Sequence, residues 1–318
     1  MMRAVVFAYH NVGDRCLRVL HARGVDVALV ITHRDRPDEN IWFRRVADTA
    51  TELGIPFLYG DDPGDPALAQ AVRDARPDVI FSFYYRAMIP AGVLALAPAG
   101  AFNMHGSLLP KYRGRVPVNW AVLHGETETG ATLHVMEARP DAGDIVDQTA
   151  VPILPDDTAG AVFDKVTVAA EQTLWRALPA MMAGQVPRRP NRLVEGSYYS
   201  GRKPEDGRID WNRPAAEVYN LIRAVAPPYP GAFTELGGQR FIVAQARRPL
   251  AGPAQPMPGA APGGAATGLQ VRDGQVVGVC GDGGLVIITQ LLAADGAAVT
   301  PQALARHLHT EQSNEGNR

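Results

Sequence analysis

The sequence predicts an α/β protein in two parts, an open parallel sheet covered by helices followed by a smaller all-β barrel. Three observations lead there. Apolar runs of strand length alternate with helical stripes as far as about residue 180, the pattern of parallel strands buried on both faces and joined by crossovers. Beyond about residue 205 the rhythm changes to short strand-like runs separated by Gly-rich turns, which suits a small barrel. Between the two, residues 184–204 are irregular and rich in Arg, Pro and Gly, a linker by composition. The expected divisions are therefore 1–183, 184–204, 205–305 and a polar tail at 306–318.

The first strand is the apolar run RAVVFAY at 3–9. Asp14 is placed to cap the next helix, whose Cys16, Leu17 and Leu20 share one face, and Gly24 to end it. A second strand is expected at 25–32. A helical stripe follows (Trp42, Val46, Ala50, Leu53), stopped by Gly54 before a short strand at 55–58. Residues 65–75 read as a helix and 78–84 (DVIFSFY) as a strand. Past Ala101 the pattern loosens into a loop, and 132–136 and 145–153 read as further strands. Asp157 or Thr158 then caps a long helix with Val162, Val166, Ala169, Leu174 and Leu178 on its buried side. The second part offers one helix, 215–225, and strands at 232–236, 241–246, 268–272, 276–280 and 285–289. The insert at 249–267, PLAGPAQPMPGAAPGGAAT, reads as an exposed flexible loop, and no function is assigned to it.

Composition narrows the function. Hydrophobic residues are 46% and charged residues 20%, with a formal net charge of −2 and a pI near 6.4. Such a balance exerts no long-range pull on nucleic acid or an anionic membrane. Cys16 and Cys280 stand far apart with no metal or redox spacing, which fits a reducing cytosol. The start lacks the length and cleavage site of a signal peptide. No apolar stretch approaches the ~18 residues of a membrane span. A soluble cytoplasmic protein is expected. The first strand ends in AYHNVGD, without the G-x-G-x-x-G spacing of a dinucleotide site. No Walker-type loop and no zinc signature occur, so neither a nicotinamide or flavin cofactor nor a metal is expected.

Ligands of an open parallel sheet bind beyond the carboxyl ends of its strands. There the segment AGAFNMHGSLLPKYRGRVPVNW places Asn103 and His105 two apart, so on extended backbone both point to one side. Downstream, EARPDAGDIV puts Asp141 in a tight turn able to reach back. An amide, an imidazole and a carboxylate suit attack by an amine on a carbonyl. The carboxylate orients the imidazole, the imidazole handles the amine proton, and the amide donates to the developing oxyanion. Each residue also has a plainer reading. A strand-end histidine is often structural, an Asp before Ala-Gly is usually a turn former, and Lys111, Arg113 and Arg115 would ordinarily be a solvated surface.

At FNMHGSLLPKYRGRVPVNW and DAGDIV the sequence resembles the folate-dependent formyltransferase family. VVFAYH, DVIFSFYYR, LAPAGAFN and HGETETG, with RAVAPPYPGAF and CGDGGL in the second part, resemble its members that formylate UDP-4-amino-4-deoxy-L-arabinose in lipid A modification and polymyxin resistance. The likeness spans about residues 1–300. It implies a Rossmann-like catalytic domain followed by an OB-like barrel, with 10-formyltetrahydrofolate as formyl donor and a nucleotide-linked aminosugar as acceptor. It also implies that Asn103 stabilises the oxyanion, that His105 is the general acid/base and that Asp141 tunes it. The family's folate-contacting segments fall on Ala87, Met88 and Ile89, on Arg115, and on Glu137, Ala138, Arg139, Pro140 and Asp141. Bifunctional members continue into an NAD-dependent decarboxylase half that these residues do not contain, so formyl transfer is the activity expected of them. The alternatives are a methionyl-tRNA formyltransferase, a non-catalytic folate or sugar-nucleotide binding module, and a formate-releasing hydrolase. Against tRNA, the chain from Asp206 onward carries nine acidic and nine basic residues, and Arg188, Arg189 and Arg192 in the linker are the only cluster favouring it. The oligomeric state is left open.

Overall fold

The computed structural model describes residues 1–37, 39–248 and 266–315, so most of the insert at 249–267 lies outside the described residues. The chain forms two compact units. The first comprises Met1–Val118, Glu128–Pro152 and Phe163–Gly201. The second comprises Asn119–Thr127, Ile153–Val162 and the chain from Arg202 onward.

In the first unit, β1 (Arg3–Ala8) is apolar enough to be central, and Ala4, Val5, Val6, Phe7 and Ala8 are all fully buried. The chain turns straight into α1 (His10–Ala22) through a positive φ of 66° at His10. The helix therefore starts four residues before the cap expected at Asp14. That carboxylate lies inside α1, 3% exposed, and accepts from Thr49 Oγ1 (2.6 Å) and Arg18 Nε (2.9 Å). It ties α1 to the next helix instead of capping its own.

The chain continues through β2 (Asp26–Thr32), α2 (Val46–Glu52), β3 (Phe57–Tyr59), α3 (Pro66–Ala75), β4 (Val79–Phe83), α4 (Ala91–Leu94) and β5 (Ala101–His105). Of the stripe expected from Trp42, only the later part is helical. Trp42 instead packs beside His10 and Phe163 (ring centroids 4.6 and 5.6 Å apart). After β6 (Arg113–Gly114) and α5 (Pro117–Leu123) come β7 (Glu128–Val135), β8 (Ile145–Pro152) and α6 (Ala159–Met182). Thr158 does the capping of α6, its Oγ1 accepting the Ala161 N–H at 3.2 Å. Val166, Ala169, Leu174 and Leu178 are buried, as their spacing requires.

The seven strands run in the order β3-β2-β1-β4-β5-β7-β8. The first five are parallel, a Rossmann-like arrangement, and β7 and β8 are antiparallel additions at one edge. Val5, Phe7, Leu29, Ile31 and Ile80 face one side of the sheet and pack with Leu68, Val72, Ile89 and Val93. Residues 184–201, read from composition as a linker, pair with this unit: Ile145 and Arg189 form a bridge, and β9 (Tyr198–Tyr199) runs parallel to β6.

The second unit carries α7 (Ala215–Val225) and an antiparallel sheet of β10 (Ala232–Leu236), β11 (Gln239–Arg247), β12 (Gly268–Arg272), β13 (Gln275–Val279) and β14 (Leu285–Ala293). Their order, β10-β11-β14-β13-β12, makes the expected small barrel a half-barrel. Trp211 lies against Gly278, where a Cβ would sit 2.1 Å from the indole, and donates its N–H to Thr234 Oγ1 at 3.0 Å. The stretch expected as a polar tail from 306 continues a helix, α8 (Pro301–Glu315). Both cysteines are free and buried, one in each unit. No helix among the described residues is long and apolar enough to cross a membrane.

Gly130 on β7 faces Ala150 of β8 so closely that a Cβ would lie 2.1 Å from the Thr149 carbonyl oxygen. Backbone on the neighbouring strand cannot move aside cheaply. Gly130→Ala is expected to cost about 1–3 kcal/mol, measured as a lower urea midpoint with an unchanged m-value.

Candidate active site

The pleat of β5 sends Asn103 and His105 to one face of the sheet, and the antiparallel register sets His134 of β7 directly opposite Asn103. Asn103 Nδ2 lies 3.1 Å from His134 Nε2. His134 Nδ1 is 2.8 Å from the Val135 carbonyl, an acceptor only, so that nitrogen carries the proton. In the neutral ring Nε2 is then left to accept from the Asn103 amide. His134 is 2% exposed, which holds this orientation.

After His105 the chain curls back on itself. Ser107 Oγ donates to the Lys111 carbonyl (2.6 Å), and Tyr112 and Gly114 take positive φ of 56° and 97°. Two backbone groups are thereby aimed into the cluster. The Tyr112 carbonyl accepts from His105 Nε2 at 2.7 Å, and the Gly114 N–H donates to Asp141 Oδ2 at 2.8 Å. Gly114 has no room for a side chain, since a Cβ would lie 2.1 Å from the Tyr199 carbonyl oxygen. Its neighbour Arg113 is buried, not part of a solvated surface, with Nη2 3.4 Å from the Leu193 carbonyl.

Asp141 also adopts a positive φ, 51°, and Asn191 Nδ2 holds its carbonyl at 3.0 Å. Its Oδ1 is 3.6 Å from His105 Nδ1 and 3.4 Å from His134 Nε2, so one carboxylate stands between two imidazoles. Burial alone would raise this carboxyl. The His105 imidazole, the neighbouring His134 imidazole and the Gly114 N–H together hold it well below the usual carboxylate range. With Nε2 of His105 occupied by a backbone carbonyl, Nδ1 is the nitrogen free to exchange a proton, beside a carboxylate that stabilises the cation so formed.

Asn103, His105 and Asp141 thus meet, with His134, in one cluster of close polar contacts. Sequence reasoning missed its fourth member. The period-2 argument that joined Asn103 to His105 also joins Thr132 to His134 on the strand expected at 132–136, but gives no sign that the two strands are neighbours. Ala87 and Ile89 pack on the apolar cluster under β4, and Met88 between them is 58% exposed. Met136 packs on the same apolar residues and leads into Glu137, Ala138 and Arg139, which are exposed, and Pro140, which is half-buried. Arg115 is exposed, and its backbone N–H donates to Tyr199 O at 3.0 Å.

A two-part α/β protein with an amide–imidazole–carboxylate cluster on its sheet has the form of an acyl-transfer enzyme. Residues 2–178 match the family model described as formyl transferase, and residues 202–309 match formyl transferase, C-terminal domain. The chain belongs to the formyl transferase family. Among solved structures it is similar to an N-formyltransferase from Helicobacter canadensis in complex with folinic acid and dTDP-3-aminofucose (TM-score 0.67, 18% identity, covering 91% of this chain and 99% of that one). It is also similar to WlaRD, a sugar 3N-formyl transferase in the presence of dTDP and 5-N-formyl-THF (0.66, 18%, 90% and 97%). HypX from Aquifex aeolicus in complex with tetrahydrofolic acid matches 95% of this chain with 46% of its own length (0.64, 19%). At these identities the likeness is one of fold.

The Asp141 carboxyl is held lower in the folded protein than in the unfolded chain. Its stabilising contribution is therefore present above the unfolded pKa, about 3.9, and is lost as pH falls toward the folded value. Asp141→Asn is expected to be less stable than the parent at neutral pH and to lose less stability as pH drops below about 4, read from urea midpoints across that range.

Proposed function

We propose that this protein transfers the formyl group of 10-formyltetrahydrofolate to the 4-amine of UDP-4-amino-4-deoxy-L-arabinose, in the cytoplasm, as a step of the lipid A modification that confers polymyxin resistance. The observation that carries the reading is the Asn103–His134–Asp141–His105 cluster. The specific acceptor rests on the resemblance at HGSLLPKYRGR, DVIFSFYYR and HGETETG. It is consistent with dTDP-3-aminofucose and dTDP being bound to two proteins that share the fold.

The formylated folate supplies an activated formyl carbon. Residues 87–89 and 137–141 suit its flat pterin, because Ala87 and Met136 border one apolar cluster with Met88 exposed beside them. Backbone groups at the end of a strand are available to its amide edge. Arg115 completes the proposed folate contacts. Asn103 has two amide hydrogens. His134 Nε2 engages one, leaving the other for the charge that develops on the formyl oxygen. His105 Nδ1 takes the proton lost by the amine as its nitrogen bonds the formyl carbon, and returns it to the folate nitrogen as that C–N bond breaks. Asp141 stays ionised throughout and stabilises the imidazolium. No serine or cysteine nucleophile is needed, since the acceptor brings its own.

His105→Ala is expected to lower kcat by about 10²–10⁴ and Asn103→Ala by about 10²–10³, with far-UV circular dichroism unchanged. Near-parental turnover in either would reject the mechanism. The acceptor is tested by offering 10-formyltetrahydrofolate with a panel of UDP- and dTDP-aminosugars and initiator Met-tRNA. UDP-4-amino-4-deoxy-L-arabinose is expected to give the highest kcat/KM. Preferential formylation of the tRNA would overturn the sugar reading and leave the cluster's chemistry standing.

A further inference from the structure

The turn after β4 is gripped from several sides. Tyr84 opens it with a φ of 58°, and Tyr85 donates its hydroxyl to the Gly60 carbonyl beyond β3. The Tyr85 ring lies flat against His33, at the end of β2, with centroids 4.2 Å apart and planes 14° from parallel. His33 Nε2 receives the backbone N–H of Arg86 at 3.1 Å, and Nδ1 faces Asp61 Oδ1 at 3.3 Å. An imidazole that accepts at one nitrogen carries its proton on the other, so the ring is the neutral Nδ1–H form, donating to Asp61. Tyr9 meets His33 edge-on at 5.4 Å, and Arg86 covers the Tyr9 ring at 4.3 Å while pairing with Glu39. The His33 side chain is 8% exposed. Burial lowers its pKa against the opposing pull of Asp61, and Arg86 and Arg36 add to the lowering, which favours the neutral ring.

Nothing in the proposed chemistry uses His33, yet the peptide it holds leads directly into residues 87–89. We propose that His33 is a positioning residue for donor binding: by accepting the Arg86 N–H it fixes the backbone that presents residues 87–89 to the folate, without touching the folate itself. The proposal rests on the reading of 87–89 as folate contacts. Its physical basis is the unusual demand on the ring. Position 33 needs a flat surface for Tyr85, an acceptor for Arg86 and a donor for Asp61 in one rigid side chain, which neutral histidine provides. Without a ring acceptor the Arg86 N–H no longer ties the turn to the end of β2, and the turn loses its single fixed geometry.

His33→Phe keeps the stacking surface and removes the acceptor. It is expected to raise KM for 10-formyltetrahydrofolate about fivefold, the effect of one lost hydrogen bond, with kcat within about twofold. His33→Gln, which retains an amide oxygen, is expected to recover most of that KM. Asp61→Ala frees the Nδ1 side from the exposed end and is expected to move KM in the same direction by less, which keeps the test valid if His33→Phe does not fold. A parental KM in His33→Phe, equal effects in the Phe and Gln variants, or a change confined to kcat would overturn the positioning role. A parent enzyme that does not saturate with the formylated folate would instead overturn the underlying folate reading and the proposal with it.

Discussion

Asp141 is where four separate stretches of chain meet. The loop after β5 reaches it through the Gly114 N–H, β5 and β7 each present an imidazole to it, and the 184–201 stretch holds its carbonyl through Asn191. A mostly buried charge is tolerable only when hydrogen bonds and countercharge compensate its lost hydration. Here the compensating groups are the same ones that the chemistry requires. Holding the carboxylate ionised and orienting the proton-transferring imidazole are therefore one structural task, and the strained backbone at Tyr112 and Asp141 accompanies that arrangement.

The reversal of strand direction beyond β5 matters as much as the parallel sheet. A parallel neighbour would require a long crossover before returning to the same end. The antiparallel β7 instead sets His134 across from Asn103, and the short return to β8 brings Asp141 over both. The amide of Asn103 is thereby oriented by a side chain on the adjacent strand rather than by solvent. That is the preorganisation on which electrostatic stabilisation depends.

How much of this the sequence disclosed follows from the range of each interaction. Local periodicity was enough for β1, α7 and the buried side of α6, where burial simply follows the spacing of apolar residues. It also joined Asn103 to His105, two residues apart on a strand. It could not supply His134, because strand neighbours far apart in sequence leave no periodic trace. Asp14 misled for the same reason: an acidic residue near a helix start looks like a cap, and only tertiary packing against Thr49 turned it inward. The stretch at 184–204 looked like a linker because its pairing with β6 and β8 involves backbone, which composition does not record. Asp141 itself was legible chiefly through resemblance, since an Asp-Ala-Gly turn alone carries no chemistry.

The two buried cysteines give each unit its own indicator of opening. Cys16 is sealed in α1 beneath the parallel sheet with its thiol pushed far up by burial, and the Cys280 thiol, beside the half-barrel, is pushed up to about 12. Thiolate is the species that reacts with alkylating reagents, so both sulfurs are protected while the fold is intact. Each becomes labelled only as fast as its own surroundings come apart. Mass-resolved alkylation would then time the opening of the sheet unit and the half-barrel unit separately, in one sample and without any introduced residue.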